Sequence, residues 1–425
     1  MKKLLALVVT VVTAVAFCFG MTGCKKNDDS SASNAAVITV PKYEENVPTV
    51  AINSDFKVGF IFLHDEKSTY DLNFINAAKE ACNYFGLKDD QVLTKKNIPE
   101  TNDCYDAAEQ LVSAGCKVIF ADSFGHEDYI MKSAKQHADV QYFHATGTSA
   151  NVTTGSRVAL SNVHNAFANI YEGRYLAGYV AGLKLADLIT KGDSKVPKTG
   201  DIYIGYVGAF TYAEVISGYT SFYLGAKSVC PTVTMEVKFT GSWFDIDAEK
   251  STAESLINNG CKLISQHADS MGAPKACEEA GVPNVSYNGS TYSECPETFI
   301  ISSKIDWTPY FKYIIAQTAK GEAIAKDWCG DLKTGSVALT NIGGAAAEGT
   351  LAKLTQVRKD LAEGKIKVFD TDTFTVDGKK VESKIINEIE VIKNGVFVES
   401  DVEMYRSAPY FELNIDGINL LNTAV

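Results

Sequence analysis

The stretch LISQHADSMG, residues 263–272, places His267, Asp269 and Ser270 within four positions of one another. It begins with apolar residues typical of a buried strand and ends with small and polar ones. An imidazole, a carboxylate and a hydroxyl this close together could take part in catalysis, bind a metal ion or hold a small molecule by hydrogen bonds. Their spacing does not distinguish these uses, so the elements that position them must be established first.

An internal repeat predicts those elements. The segment AAEQLVSAGCKVIFADSFG at 107–125 is similar to TAESLINNGCKLISQHADSMG at 252–272, and the two start 145 residues apart. The strand patterns that begin at Lys57 and Ile202 keep the same offset. Each copy alternates short apolar strands with helix patterns, which predicts right-handed β-α-β units and a parallel sheet. We therefore expect an α/β protein with two Rossmann-like lobes, each a parallel sheet flanked by helices.

Glycines indicate where helices end and where one helix packs closely. Gly86, Gly115 and Gly260 each follow a helical pattern, as expected of a C-terminal cap with positive φ. Gly178 and Gly182 form a Gly-x-x-x-Gly pattern in an apolar stretch, but charged residues interrupt that stretch and it is too short to span a bilayer. We predict a buried helix packed closely on a sheet.

The N-terminus predicts export and a lipid anchor. Lys2 and Lys3, an apolar run and small residues up to Gly23 are typical of a secretory signal peptide. The sequence Met-Thr-Gly-Cys ending at Cys24 resembles a bacterial lipobox, in which the cysteine is acylated, although lipoboxes usually carry Leu where Met21 stands. An ordinary secretion signal with an incidental cysteine is the alternative. We expect lipidation of Cys24 and a location on the outer, extracytoplasmic face of the cell membrane.

The predicted organisation has five parts. They are a signal peptide at 1–23, a lipid anchor and polar flexible tether at 24–55, a first α/β lobe at 56–165, a second lobe at 166–300, and a crossover and C-terminal segment at 301–425 that completes the lobes. Crossovers between the lobes are expected. In the last part Asp377-Gly378 is typical of a hairpin turn.

Composition limits the classes of partner. The 425-residue chain has a net charge of −12, and loss of Lys2 and Lys3 with the signal takes it to −14, which disfavours nucleic acid. The hydrophobic fraction of 46% can supply two cores. The ten cysteines include no Cys-x-x-Cys pair, and several lie in apolar patterns where free thiols are common. Disulfide bridges are possible but not required, so we assign none, and a zinc site on these spacings is disfavoured.

Candidate site residues lie in the loops that follow the strands. Ligands of open parallel sheets bind beyond the carboxyl ends of the strands, so facing loops of the two lobes should line one cleft. The candidate ligand-binding residues are Tyr70, Asp71, Asn73, Ser123, Phe124, Phe210, Trp243, Asp269, Asn288 and Asp306. Aromatic residues there could stack on a flat ligand, and the carboxylates could accept hydrogen bonds. Alternatively, the aromatics pack the lobe edges, and Ser123, Ser270 and Asp306 cap helices.

Metal and nucleophilic chemistry are disfavoured by missing motifs. His64, His126 and His267 fall in predicted cleft loops, but the chain has no His-Glu-x-x-His or His-x-His arrangement. The Gly-x-Ser-x-Gly elbow and the glycine-rich phosphate loops are absent. We therefore favour Asp269 as a hydrogen-bond acceptor for a small-molecule ligand, without a catalytic residue, metal or cofactor.

Several of these motifs resemble one known family. GYVGAFTYAEVISGYTSFYLGAKSV, ISQHADSMG, SKIDWTPYF and STYDLNF are similar to segments of the basic membrane lipoprotein group of type I periplasmic binding proteins, which serve ABC importers of purine nucleosides or bases. The resemblance runs from about Lys57 to beyond Thr350. It implies a two-lobed binding protein that encloses its ligand in the interlobe cleft, performs no chemistry on it, and works with ABC transporter membrane subunits.

The resemblance also implies roles for individual residues. Tyr70 stands where the family has a stacking aromatic, and Asp71 stands where Asn is common. Phe210 and Trp243 are similar to residues that flank the base, and Asp269 to an acidic acceptor. One departure is SYNGS at 286–290, where nucleoside-binding members have an acidic turn. A free purine base is therefore as well supported as a nucleoside.

The leading functional hypothesis is a lipid-anchored extracytoplasmic solute-binding protein of an ABC importer for a purine base or nucleoside. A ligand-sensing regulatory lipoprotein of the same fold is the first alternative, because it needs the same anchor and cleft. A secreted nucleoside hydrolase is the second, suggested by the aspartates that follow the first strand.

Overall fold

Two parallel β-sheets form the frame of the molecule. The computed structural model describes residues 37–41, 47–150, 158–193, 201–386, 388–399 and 407–425. The predicted signal peptide, Cys24 and most of the predicted tether therefore lie outside the described residues.

The strands are β1 (Lys57–Ile61), β2 (Val92–Lys95), β3 (Cys116–Ala121), β4 (Gln141–Ala145), β5 (Val163–Ala168), β6 (Ile202–Gly208), β7 (Val233–Phe239), β8 (Ile264–His267), β9 (Asn284–Tyr287), β10 (Phe299–Ile305), β11 (Asp327–Gly330), β12 (Val337–Leu339), β13 (Ile385–Ile386), β14 (Ile389–Glu390), β15 (Ile392–Lys393), β16 (Val396–Phe397) and β17 (Ile418–Leu420). The α-helices are α1 (Thr69–Tyr84), α2 (Asn102–Ser113), α3 (Glu127–Ala134), α4 (Ile170–Thr190), α5 (Ala213–Lys227), α6 (Ile246–Asn258), α7 (Gly272–Ala280), α8 (Thr308–Lys320) and α9 (Thr350–Ala362). Short 3-10 turns cover Asp89–Gln91 and Phe124–His126.

The two sheets have the same internal order. The first sheet runs β11-β5-β4-β3-β1-β2, and the second runs β12-β10-β9-β8-β6-β7-β17. Strands β2-β1-β3-β4-β5 therefore correspond to β7-β6-β8-β9-β10, as the internal repeat predicts. Every pairing in both sheets is parallel except that of β12 with β10. The predicted α/β architecture of two parallel-sheet lobes is confirmed.

The chain crosses between the lobes more than once. Helix α4 follows β5 of the first sheet but packs on α5 and β10 of the second lobe. Helix α8 follows β10 of the second sheet but packs on α1 and β3 of the first lobe. Strand β11 then joins the first sheet, and β12 and β17 join the second. Each lobe is thus completed by distant segments of sequence, including the C-terminal strand.

The close packing of α4 is against a helix as well as against a sheet. A Cβ added to Gly178 would lie 1.9 Å from the carbonyl oxygen of Phe222 on α5, and one added to Gly225 on α5 would lie 2.1 Å from that of Tyr175. Glycine is required at these positions because the backbones approach too closely for a side chain. The prediction of a buried, closely packed helix is confirmed, but its glycine face meets α5. Within the described ranges, no helix has the length and hydropathy needed to cross a membrane.

The glycine and turn predictions agree with the structure. Gly86, Gly115 and Gly260 have φ angles of 68°, 91° and 103°, as expected where glycine ends a helix. Asp377 and Gly378 also have positive φ and connect the bridged residues Val376 and Lys379, which fits a two-residue hairpin turn. The eight cysteines of the described residues are free thiols, and all but Cys329 are buried.

Candidate functional site

A cavity lies between the lobes, at the carboxyl ends of both sets of strands. Its lining from the first lobe comprises Leu63, His64, Tyr70, Asp71, Ser123, Phe124 and Thr146. Its lining from the second lobe comprises Glu214, Trp243, His267, Asp269 and Tyr287. The space among them, including its open mouth, amounts to about 450 Å³. Within the described part of the chain this lining contains no lysine or arginine.

Contacts between the lobes close the cavity. The backbone N–H of Thr69, at the start of α1, donates to the carbonyl oxygen of Asp269 at 3.2 Å. The rings of His64 and Phe244 lie 5.5 Å apart across the cleft. Phe124 and Tyr212 approach to 6.5 Å at the mouth, where Phe124 remains 55% exposed. A bound ligand would therefore touch both lobes.

The first-lobe wall is built around a fully buried carboxylate. Ser68 caps α1 by accepting the backbone N–H of Asp71 and donates its own hydroxyl to Oδ2 of Asp71 at 2.6 Å. The backbone N–H of His64 donates to Oδ1 at 2.7 Å. Burial raises the pKa of Asp71, but the hydrogen bonds from His64 and Ser68 outweigh it and leave the pKa below its usual value. Asp71 is therefore ionised, with protein donors on both oxygens.

A second buried acid stands behind Asp71. Asp122, at the end of β3, accepts the N–H of Leu63 on Oδ1 at 3.0 Å, and its backbone carbonyl accepts the hydroxyl of Tyr70 at 2.7 Å. Burial and the neighbouring Asp71 raise the pKa of Asp122 well above its usual value. The first-lobe wall thus places a second buried acid behind Asp71, and it holds the Tyr70 ring in place through its hydroxyl.

The second-lobe wall follows β8. The backbone N–H of Asp269 donates to the carbonyl of Trp243 at 2.9 Å, which ties together the two loops carrying these side chains. Oδ1 of Asp269 accepts from Nδ2 of Asn288 at 3.3 Å. No other described residue donates to this carboxyl group. Burial, followed by the nearby Glu249 and Asp71, raises the pKa of Asp269 well above its usual value.

Three further polar groups of this wall were not among the predicted site residues. Glu214 lies in the first turn of α5, His267 ends β8, and Tyr287 ends β9. The His267 ring lies 4.3 Å from the Tyr287 ring, and its Nε2 is 3.5 Å from Oε1 of Glu214. In the described ranges, no group of three His, Cys, Asp or Glu side chains is arranged to hold a metal ion.

Comparison with known proteins supports the interpretation of the cleft. Residues 60–395 match the family model of PnrA-like ABC transporter substrate-binding proteins. The chain belongs to this family. Its members are substrate-binding proteins of ABC transporters, which act outside the cytoplasm and are not enzymes. The family resemblance predicted from the sequence is confirmed.

Individual relatives agree with this membership. A purine-binding protein of Brucella abortus is 30% identical over 343 residues, which are 78% of this chain and 89% of that protein. A protein of Haloferax volcanii, provisionally named an ABC transporter glucose-binding protein, is 31% identical over 53% of this chain and 52% of its own length. The solved structure of an ABC transporter solute-binding protein from Conexibacter woesei has a TM-score of 0.58 at 19% identity, covering 73% of this chain and 98% of that one. The predicted type I periplasmic binding protein fold is confirmed.

In this PnrA-like protein, six of the ten predicted ligand-binding residues line the cavity, namely Tyr70, Asp71, Ser123, Phe124, Trp243 and Asp269. The remaining four are not part of this lining. Asn73 is on α1 with a buried Nδ2 that has no partner in the described chain. Phe210 stacks on Tyr212 at 5.1 Å and meets the edge of Trp243. Asn288 donates to Asp269, and Asp306 accepts the N–H of Thr308 at the start of α8.

The capping alternative holds for some of these side chains. Oγ of Ser270 accepts the backbone N–H of Gly272, the first residue of α7, and Asp306 acts similarly at α8. Ser123 instead donates to the carboxylate of Glu100 at 2.5 Å and makes no capping bond. Trp307, another aromatic of the predicted loops, is a core residue that stacks on Phe74 with ring centroids 4.4 Å apart.

Proposed function

We propose that this PnrA-like protein is the lipid-anchored receptor of an ABC importer and that it binds a purine base or purine nucleoside in the interlobe cavity. The purine-binding relative from Brucella abortus, aligned over most of both chains, supports the choice of ligand class. The family supports delivery of the ligand to transporter membrane subunits. The lipobox-like sequence at Cys24 supports the anchor.

The chemistry of the cavity lining carries the proposal. Aromatic rings come from both lobes, including Tyr70 and Trp243, so a flat ligand would have a ring available on either side. The carboxyl groups of the lining belong to Asp71, Glu214 and Asp269, and the described lining has no lysine or arginine to offset them. A ligand held there must supply hydrogen-bond donors and carry no negative charge, because a buried anion next to carboxylates would be strongly repelled. Purine bases and nucleosides meet both conditions, whereas nucleotides do not.

The choice between base and nucleoside depends on acceptors for ribose hydroxyls. The turn at 286–290 carries no carboxylate, and its Asn288 already donates to Asp269. On the opposite wall, the oxygens of Asp71 already have protein donors. Ribose recognition would therefore rest on the few remaining polar groups of the lining, which is why we retain the free base beside the nucleoside.

A ligand screen tests this function. Thermal shift and calorimetry on the mature protein would compare adenine, guanine, hypoxanthine, adenosine, inosine, AMP and glucose. A ligand present at 100 times its Kd should stabilise the protein by about 2.7 kcal/mol. We expect stabilisation by at least one base or nucleoside and none by AMP. Stabilisation by glucose alone, with no response to any purine, would contradict the proposal.

The anchor has its own test. Full-length protein expressed in a bacterial host should enter the detergent phase on partitioning, and Cys24→Ser should remain unprocessed or be released. Wild-type protein found entirely in the aqueous phase would remove the anchor from the proposal without affecting the ligand.

A further inference from the structure

A buried cation lies behind the second-lobe wall. Arg174 of α4 is fully buried, and no described carboxylate lies within 4.0 Å of its guanidinium group. One of its NH2 groups donates to the hydroxyl of Tyr206 at 2.8 Å and to the hydroxyl of Ser265 at 3.0 Å. Its guanidinium carbon also lies 5.1 Å from the centre of the Tyr287 ring. The cation is thus solvated by hydroxyls, carbonyls and aromatic faces, and it adjoins residues that face the cavity.

This cation determines the direction of the hydrogen bonds that lead to the cavity. An arginine can only donate, so the oxygen of Tyr206 accepts from it, and the Tyr206 hydroxyl proton is left for another acceptor. The nearest candidate is Nδ1 of His267, at 3.4 Å. Burial lowers the pKa of His267 and outweighs the opposing effect of Glu214, and the charge of Arg174 adds a smaller lowering, so the ring is neutral. With Nδ1 accepting, the ring proton must reside on Nε2.

The Nε2–H group then has no well-formed partner, on a residue that lines the cavity. His267 is 2% exposed, and its Nε2 has no hydrogen bond that meets normal geometry in the described chain. Oε1 of Glu214 lies 3.5 Å away, at the outer limit of a hydrogen bond. Glu214 makes no other hydrogen bond or ion pair with a described residue. It lies in the first turn of α5, on the side of the cavity that His267 also lines.

The backbone makes room for this arrangement. A Cβ added to Gly218, one turn after Glu214 on α5, would lie 2.5 Å from Nδ1 of His267 and 3.3 Å from the Tyr206 hydroxyl. A side chain at Gly218 would therefore displace the imidazole from its present position. The imidazole thus adjoins Gly218 at its Nδ1 edge, and its ring centre lies 4.3 Å from that of Tyr287.

We propose that the His267 Nε2–H and the Glu214 carboxylate form a donor–acceptor pair that binds an amidine edge of the ligand, in which a ring nitrogen acceptor stands beside an N–H donor. Two protein atoms 3.5 Å apart can each reach one of two neighbouring ligand atoms. Arg174 and Tyr206 are positioning residues, which act by fixing the imidazole tautomer. Purine bases contain such edges, so this inference rests on the proposed function and specifies how the base is recognised.

The first test measures affinity for adenine and hypoxanthine by calorimetry. For whichever base binds wild type more tightly, Glu214→Ala should weaken binding on the order of ten-fold to a hundred-fold, the range for a hydrogen bond to a charged group. Glu214→Gln, which keeps an acceptor oxygen, should lose less. Glu254→Gln, which removes a half-exposed charge on α6, is the matched control and should bind as wild type does. Glu214→Ala with wild-type affinity for both bases would overturn the pair.

The second test needs no ligand and therefore remains valid if the proposed function fails. Nitrogen-15 spectra of protein labelled at its histidine rings, with the His267 signals assigned by difference from His267→Gln, report the tautomer directly. We expect Nε2–H in wild type and a mixture of tautomers in Tyr206→Phe, which keeps the ring but loses the hydroxyl. A purely structural role for Tyr206 would change the melting temperature but not these signals. An Nδ1–H tautomer in wild type would overturn the inference. Failure of every purine to bind wild type would instead remove the proposed function.

Discussion

The two walls of the cavity use buried acids in different ways. On the first-lobe wall, the oxygens of Asp71 accept from His64 and Ser68, and Asp122 accepts from Leu63. On the second-lobe wall, Asp269 has a single long hydrogen bond from Asn288. For Glu214, on the same wall, the only donor near its carboxylate among the described residues is Nε2 of His267, at 3.5 Å.

This difference separates support of the fold from recognition of the ligand. A buried carboxylate whose oxygens already have donors stabilises the loop that supplies them and has little capacity left for a ligand. A carboxylate with vacant acceptor positions facing a cavity can take donors from a ligand. We therefore expect first-lobe acids to matter mainly for stability and second-lobe acids mainly for affinity, while aromatic side chains of both lobes supply contact area.

The largest expected effect is the loss of stability in Asp71→Ala. The change leaves the N–H of His64 and the hydroxyl of Ser68 without their acceptor in a buried loop, and we expect it to lower the free energy of unfolding of the ligand-free protein by about 3 kcal/mol. Asp71→Asn keeps one acceptor oxygen and should cost less. Urea unfolding measures both variants. A ligand-free Asp71→Ala protein as stable as wild type, but unable to bind a purine, would reverse the roles assigned to the walls.

The matching change on the other wall is Asp269→Ala. It should weaken purine binding by about 1 to 3 kcal/mol, the cost of leaving a buried ligand donor without its acceptor, and affect the ligand-free melting temperature much less than Asp71→Ala does. Calorimetry and thermal melting on the same samples check the two parts. Undiminished affinity would show that Asp269 does not contact the ligand. A metal site would give a different pattern, since His267→Ala and a chelator would then each abolish binding.

The acid behind the second-lobe wall provides a pH test. Glu249 is fully buried, accepts the N–H of Ser270, and has a second oxygen without a partner in the described chain, and burial raises its pKa to about 7. Because the folded-state pKa lies above the unfolded one, the folded protein binds the extra proton. Protonation of Glu249 contributes its full stabilisation below about pH 4.5, and this stabilisation is lost as the pH rises to about 7.

Stability should therefore fall across this range, and Glu249→Gln, which mimics the neutral acid, should reduce the slope by up to about 1.4 kcal/mol per pH unit. Unfolding free energies measured from pH 4.5 to 7.5 test this. Glu254→Gln, on the same helix but half exposed, should leave the slope unchanged. An unaltered slope in Glu249→Gln would mean that Glu249 is ionised in the folded protein and that Asp269 has a charged neighbour.

The sequence predicted the fold well because the relevant signals are local and repeated. Strand and helix periodicity, the glycine stops and the 145-residue offset describe each lobe separately, and both sheets share one internal strand order, as expected of a repeat. The crossovers between the lobes were harder to predict from the sequence. Helix α8 returns to the first lobe because Trp307 and Phe311 fill an aromatic core with Phe74, a contact between residues more than 200 positions apart.

The site was predictable only in outline. Residues placed directly after strands, such as Asp269, could be assigned to the cleft from topology alone. Glu214 was missed because an acid in the first turn of a helix is ordinary there. Arg174 did give a signal, as a charge within an apolar glycine-containing helix, but its hydroxyl partners come from β6 and β8, whose approach no local pattern encodes.

The smallest expected effect concerns the stacking energy that aromatic side chains of both walls contribute to purine binding. Trp243→Ala should weaken purine binding by about 1 kcal/mol of stacking energy plus the lost burial, and Trp243→Phe by less. Its backbone carbonyl still accepts the N–H of Asp269, so the loop and the ligand-free melting temperature should be nearly unchanged. Phe210→Leu is the matched control, because Phe210 supports Trp243 from behind without lining the cavity. Equal losses of purine affinity in Trp243→Ala and Phe210→Leu would show that the aromatic cluster acts as one packing unit. Stacking on a flat ligand would then come from the first lobe alone.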